Sequence, residues 1–126
     1  MMQHIIGIAR NQMVFTSLEQ GISEDNPVRF IDAFVENIDV GTLGFKLQSV
    51  KTEGRPSYST KIFLKIYLYG YLNGLRSSRK LEKECVRNIE LQWLVCGLVP
   101  NYHSMSDFRK DHTSGLKKLF KVFVSF

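Results

Sequence analysis

Gly70-Tyr-Leu-Asn-Gly-Leu-Arg-Ser-Ser-Arg-Lys-Leu-Glu-Lys-Glu-Cys-Val-Arg-Asn88 is the stretch on which the fold turns. It begins as the end of an apolar helix, turns at Asn73-Gly74 and reopens as a basic helix. A serine oxygen accepts from the free N–H groups of a helix's first turn, so Ser77 or Ser78 is the expected cap. Glu82, one turn on, is the expected capping-box partner. Arg76, Arg79, Lys80, Lys83 and Arg87 cluster here, while Leu81, Cys85, Val86 and Ile89 recur at helical spacing. Such a helix packs on one face and stays charged on another. Helix, tight turn and basic helix is also the order in which a helix-turn-helix reader meets DNA.

Just upstream, nine of the eleven residues from Ile62 to Leu72 are apolar, on nearly all sides, which predicts a central buried helix capped by Ser59 or Thr60. Lys61 and Lys65 are expected to mark its one wet stripe. Tyr58, Tyr67, Tyr69 and Tyr71 crowd this region and read as core rather than as a base-stacking platform. Further back, Lys46 to Ser59 is polar and reads as a linker, with Pro56 holding Arg55 extended. Asn26 and Pro27 start a first helix whose apolar face is Val28, Ile31, Phe34, Val35 and Ile38. Leu43 and Phe45 are placed to anchor a turn on the core. Met13-Val14-Phe15 is expected to be extended and packed on the domain.

Downstream, Asn88 caps a third helical segment over Ile89 to Cys96, with Trp93 as its anchor and Gly97 as its stop. Pro100-Asn101-Tyr102 reads as a turn, and Ser104-Met-Ser-Asp107 as a helix start. Gly115 is expected to interrupt that last helix. Leu116, Leu119, Phe120 and Phe123 continue an apolar stripe, which suggests a partner surface.

The charge is lopsided. Residues 1–50 hold three Lys/Arg and six Asp/Glu; residues 51–126 hold fourteen and six. A basic half points to a polyanion, most often nucleic acid. An apolar share of 44% supports a folded core rather than a disordered chain. Cys85 and Cys96 form no CxxC pattern and read as reduced, buried thiols of a cytoplasmic protein. The apolar run is well short of the roughly 20 residues that span a bilayer, and no membrane role is expected. For catalysis the residues offer little. Glu82 and Glu84 cannot share a helix face. Asp107 and Asp111 can, but Arg109, Lys110 and Lys118 beside them suggest surface ion pairs. His4, His103 and His112 lack zinc spacing, and there is neither a phosphate loop nor a nucleophile elbow. No catalytic residue and no metal ligand is therefore assigned.

Arg55-Pro-Ser-Tyr58, Leu64 through Glu90, Trp93-Leu94 and Ser106-Asp-Phe-Arg-Lys110 together resemble the N-terminal domain of bacterial insertion-sequence transposases of the DDE class. Arg10-Asn-Gln-Met-Val14 and Glu24 through Val35 are similar to that family's opening. The resemblance runs from about Ala9 to His112, and its most specific part is Tyr69-Gly-Tyr-Leu-Asn-Gly-Leu-Arg-Ser-Ser-Arg79. Asn101, Ser104 and Met105 depart from the family pattern. The resemblance implies a helical region that binds transposon-end DNA. It also implies a following ribonuclease-H-like domain carrying three acids and two divalent metals, so no catalytic acid is carried over and magnesium or manganese belongs to that domain.

The expectation is thus an all-α fold of about five helices with a helix-turn-helix-like core. Residues 1–50 would form an arm and first helix, and 51–126 the basic DNA-binding region, together one domain. Arg76, Arg79, Lys80, Lys83 and Arg87 are the main DNA contacts. Ser77 and Ser78 donate at the helix start, and Arg79, Arg87 and Asn88 are suited to base edges. Arg55, Arg109, Lys110 and Lys118 are secondary. The rival expectation is a helical module for self-association, or one that inhibits a full-length transposase.

Overall fold

The computed structural model describes residues 3–45 and 58–125. Arg55 and the linker reading around it lie outside those residues. Among them the chain forms six α-helices and one 3-10 turn, Glu19–Gly21. Four of these helices begin at a local side-chain cap.

Asn26 Oδ1 accepts the Val28 N–H at 2.9 Å and opens α1, Val28–Asn37, just after Pro27. Val28, Ile31, Phe34 and Val35 form its buried face, the period-3.6 stripe of the sequence. α2, Thr60–Asn73, is apolar almost all round and accordingly central, packing on α1 and α4. Leu64, Ile66 and Leu68 are fully enclosed, each contributing about 1.5–3 kcal/mol by burial. Ser59 stands at its cap position without a capping hydrogen bond.

Lys65 is not on a wet stripe. It is 6% exposed, and its Nζ lies 2.8 Å from both Asp32 Oδ1 and Glu36 Oε1 of α1. Lys61 meets the same Glu36 at 3.5 Å. A buried ammonium needs such partners, because isolated burial of a charge costs far more than a helix contact returns. Burial alone would push the Lys65 ammonium's pKa down, but hydrogen bonds to Asp32 and Glu36 reverse that and hold it above its ordinary value. The hydrogen bond from Lys65 likewise holds the Glu36 carboxyl below the usual range.

α2 stops at Gly74, whose φ of +71° is left-handed. The chain then folds back so tightly that the Leu75 N–H reaches the Gly70 carbonyl at 2.8 Å. A Cβ on Gly70 would sit 2.5 Å from the Leu75 oxygen, so that glycine is what lets the turn close.

α3, Ser78–Arg87, follows. Ser77 Oγ accepts the Lys80 N–H, as the sequence indicates, but Glu82 does not complete a capping box. Its Oε2 instead accepts the Tyr102 N–H at 2.9 Å, tying α3 to the head of α5. α3 packs chiefly on α4 and α5. Leu81 of α3 also reaches Gly70 of α2 across the turn, so the two helices that flank it touch at that glycine.

α4, Ile89–Leu94, is capped by Asn88 and shorter than expected. The amide protons of Cys96 and Gly97 bond back to the Trp93 and Gln92 carbonyls, and Cys96 takes the left-handed position at φ +54°. Cys96 is exposed, contrary to the buried reading, whereas Cys85 is enclosed and burial pushes its thiol up to about 11.

α5, Tyr102–Asp111, starts before the serine motif because Asn101 Oδ1 caps it through the Ser104 N–H at 2.8 Å. α6, Thr113–Val124, begins after a break at His112. Gly115 lies inside α6 and does not interrupt it. Its missing side chain admits the Phe45 ring, which a Cβ would meet at 3.0 Å.

Aromatic rings join the layers: Phe63 and Phe45 stack on Phe108, and Phe34 meets Phe123 edge-on at 5.0 Å. Glu90 ties α4 to α2 and to the segment ahead of α1 by accepting from Tyr69 at 2.7 Å and Asn26 at 2.8 Å, while Asn88 donates to the same Tyr69 oxygen. Burial, with Glu90 adding to it, pushes the Tyr69 hydroxyl up to about 12. At the other end, Arg29 binds Glu19 at 2.6 Å and lies over the Trp93 ring, whose Nε1–H donates to the same carboxylate. Residues 3–18, ahead of this latch, are exposed throughout, and Met13, Val14 and Phe15 do not pack on the domain.

Candidate nucleic-acid interface

The five predicted cations of the turn and α3 are all exposed, so the helix does present a charged side. Its opposite face is pinned by Leu81 and Cys85 in the core. Lys80, Lys83, Glu84 and Arg87 line one shallow depression of about 260 Å³ with Leu75 at its edge.

The cations differ in what holds them. Arg87 Nη2 lies 2.7 Å from Glu84 Oε1, and that hydrogen bond lowers the pKa of the Glu84 carboxyl. Arg79 lies over the Tyr102 ring at 4.6 Å and donates to its hydroxyl, a cation–π contact that leaves its charge intact while fixing its place. Arg109 Nη1 donates to the Arg76 carbonyl at 3.1 Å, which brings a secondary cation of α5 up to the turn. Arg109 is thus turned towards the turn rather than towards its neighbouring aspartates. Lys80 and Lys83 have no side-chain ion pair or hydrogen bond among the described residues. A lysine without an internal partner gives up the least when it meets a phosphate.

Ser77 is occupied as the α3 cap, and Ser78 is half-buried beside the Tyr67 hydroxyl. Asn88 is fully engaged: its oxygen caps α4, and its Nδ2 donates to Tyr69 and to Glu84. Its amide faces the protein, and it is left out of the contacts proposed below. Lys110 and Lys118 are exposed but line neither this depression nor the one beside it.

Sequence reasoning overlooked the second depression. On the far side of Leu75 lies a groove of about 330 Å³, with Tyr71, Leu116 and Phe120 for its apolar lining and Arg76, Arg109 and Lys117 at its edges. The 3.6-residue spacing of Leu116, Lys117, Phe120, Lys121 and Val124 carried the signal, but with Leu119 and Phe123 it was read as a single apolar stripe. Among the described residues, no group of three or more His, Cys, Asp or Glu is placed to hold a metal. No helix of those residues is long and apolar enough to cross a membrane.

An all-helical domain with an exposed cationic ridge is the kind of module that associates with a polyanion. Residues 16–111 match the family model described as Transposase domain (DUF772), and the chain belongs to that family. No curated protein and no solved structure is significantly similar to the chain.

Proposed function

We propose that this domain binds double-stranded DNA at transposon ends as the N-terminal part of a DDE-class transposase. The chemistry of strand cutting would then reside in another domain. The observation that carries the reading is the ridge at Arg76, Arg79, Lys80, Lys83 and Arg87, where one cation of five is bound to a carboxylate. Arg109 extends it from α5. Membership of a transposase family supports DNA as the polyanion, and the recognition of transposon ends is the finer step proposed here.

In this reading Lys80 and Lys83 bind phosphates directly. Arg79, braced by Tyr102, sets the register of the helix on the backbone. Phosphate contacts of this kind position a protein without reading sequence, and Arg79 and Arg87 are the side chains able to do the reading. Charge reversal at Arg79 and Lys83 together is expected to weaken duplex binding and flatten its salt dependence. Unchanged affinity and slope in a gel-shift titration would remove the assignment.

A second reading is favoured by one observation. Ile5, Ile6, Ile8, Met13, Val14 and Phe15 are all more than half exposed in the N-terminal segment, an apolar run that self-association would cover. Sedimentation of the full chain against a variant lacking residues 3–15 tests it, with an unchanged mass counting against it.

A further inference from the structure

The groove beside the basic helix has a composition that duplex binding does not use. Tyr71 of α2 is 51% exposed, yet its ring is held parallel to Phe120 of α6, with centroids 4.8 Å apart and planes 12° apart. The stack fixes the ring without hiding it. Cations surround it: Arg76 from the turn, Arg109 from α5 and Lys117 from α6. A contiguous depression of about 370 Å³ shares Tyr71, Lys117 and Phe120 and adds Lys121. Among the described residues no carboxylate lines either of them. Leu75 borders both this groove and the depression of Lys80, Lys83 and Arg87, so the two cationic surfaces adjoin.

An exposed aromatic stack beside several cations, with no acid among the described lining residues, complements a ligand that is flat and apolar in one part and anionic in the next. Unpaired nucleotides have that alternation, because every base offers a π-face and every linkage a phosphate. A paired duplex does not, since its bases are stacked on each other. An apolar helix would leave the cations buried without partners, which is costly.

We propose that the groove takes one or two unpaired nucleotides of a DNA end, a base stacking on the Tyr71–Phe120 pair and the flanking phosphates meeting Arg76, Arg109 and Lys117. The proposal rests on the DNA reading above and adds a single-strand function to it. The α3 ridge holds the duplex and the groove receives the frayed or cut strand that leaves it.

The test compares the full chain on a blunt duplex and on the same duplex with a short single-stranded tail carrying 2-aminopurine. The tail is expected to tighten binding about tenfold, within the range that base–aromatic stacking supplies. Its 2-aminopurine fluorescence is expected to be quenched on binding. Tyr71→Ala should remove the tail's advantage and the quenching, and Tyr71→Phe should keep both. Blunt-duplex affinity should be the same in both variants.

A tail that brings neither tighter binding nor quenching, while the blunt duplex binds normally, overturns the groove proposal and leaves the duplex reading standing. Failure of the wild-type chain to bind either DNA overturns both. Binding of an acidic amphipathic peptide that the tailed DNA does not displace assigns the groove to a protein and also overturns it. The wild-type quenching is informative even if Tyr71→Ala does not fold.

Discussion

Lys80 and Lys83 provide the sharpest measure of the duplex interface, because no internal side-chain hydrogen bond or ion pair must be given up when they bind. Changing both to glutamine keeps helix propensity and removes two charges from an exposed face, so folding stability should move by less than about 0.5 kcal/mol. Each lost phosphate contact lowers the slope of log K against log salt by about 0.9. The double variant should therefore flatten the slope by about 1.8. Taking the ionic term to vanish near 1 M salt, two such contacts are worth about 1.8 log units at about 0.1 M, or roughly a 60-fold loss.

Fluorescence anisotropy of a labelled duplex over about 50 to 200 mM salt measures both quantities at once. Lys61→Gln is the control. Lys61 lies thirteen residues before Gly74 on α2, about 20 Å along the axis, and pairs with Glu36. That is beyond a Debye length of about 10 Å, so this charge loss should leave affinity unchanged. A double variant that keeps its slope and loses less than about threefold in affinity would refute the reasoning, and so would a Lys61 variant that loses as much.

Other expectations follow from the same geometry. Glu84→Gln should tighten duplex binding by about three- to tenfold, because it frees Arg87 and removes a negative charge while its amide oxygen still accepts from Asn88; looser binding in the same anisotropy assay would contradict this. Gly70→Ala should cost about 1–2 kcal/mol in urea unfolding, since crowding against the Leu75 oxygen outweighs the gain in helix propensity, and it should cost more than Gly115→Ala, where a Phe45 ring edge can yield. Cys96→Gly should stabilise by about 0.5–1 kcal/mol, because relief of the left-handed strain exceeds the entropy glycine adds to the unfolded chain.

The Lys65 cluster should shape the pH dependence of stability. The Lys65 pKa is raised from 10.5, so its contribution is complete below about pH 10.5 and lost as pH rises through the folded value. The Glu36 pKa is lowered from 4.5, so its contribution is present above about pH 4.5 and lost as pH falls through the folded value. Lys65→Met should flatten both limbs in denaturant titrations across pH. A variant curve parallel to that of the original would show that the cluster is not the source.

The readable parts of this fold were those set by neighbours in sequence. An apolar run with no polar side has only one place to go, and α2 is central. The turn at Gly74 and the caps made by Ser77, Asn26 and Asn88 act within four residues of themselves, and each was legible. Lys65 was not, because its partners lie 29 and 33 residues away on another helix and periodicity sees only the lysine. Gly115 was misread for the same reason: a glycine that breaks a helix and one that admits a distant Phe45 look alike in one dimension. The α5 start was missed because Asn101 and Ser104 both offer good caps and only packing decides. The ridge was legible as charge, but which of its cations are free depends on Glu84, Tyr102 and Arg109. The groove was hidden because its lining comes from α2, the turn, α5 and α6 at once.

The clustering of α1's acids around Lys61 and Lys65 has a consequence for motion in solution. The head of α2 is neutralised by that clustering, while positive charge collects past its tail, so the molecule carries an electric dipole roughly along this helix. A phosphate lattice exerts torque on such a body before any contact forms, turning the cationic end forward. At about 10 mM salt, where the Debye length reaches about 30 Å, encounter frequency should then depend on acids that never touch the nucleic acid.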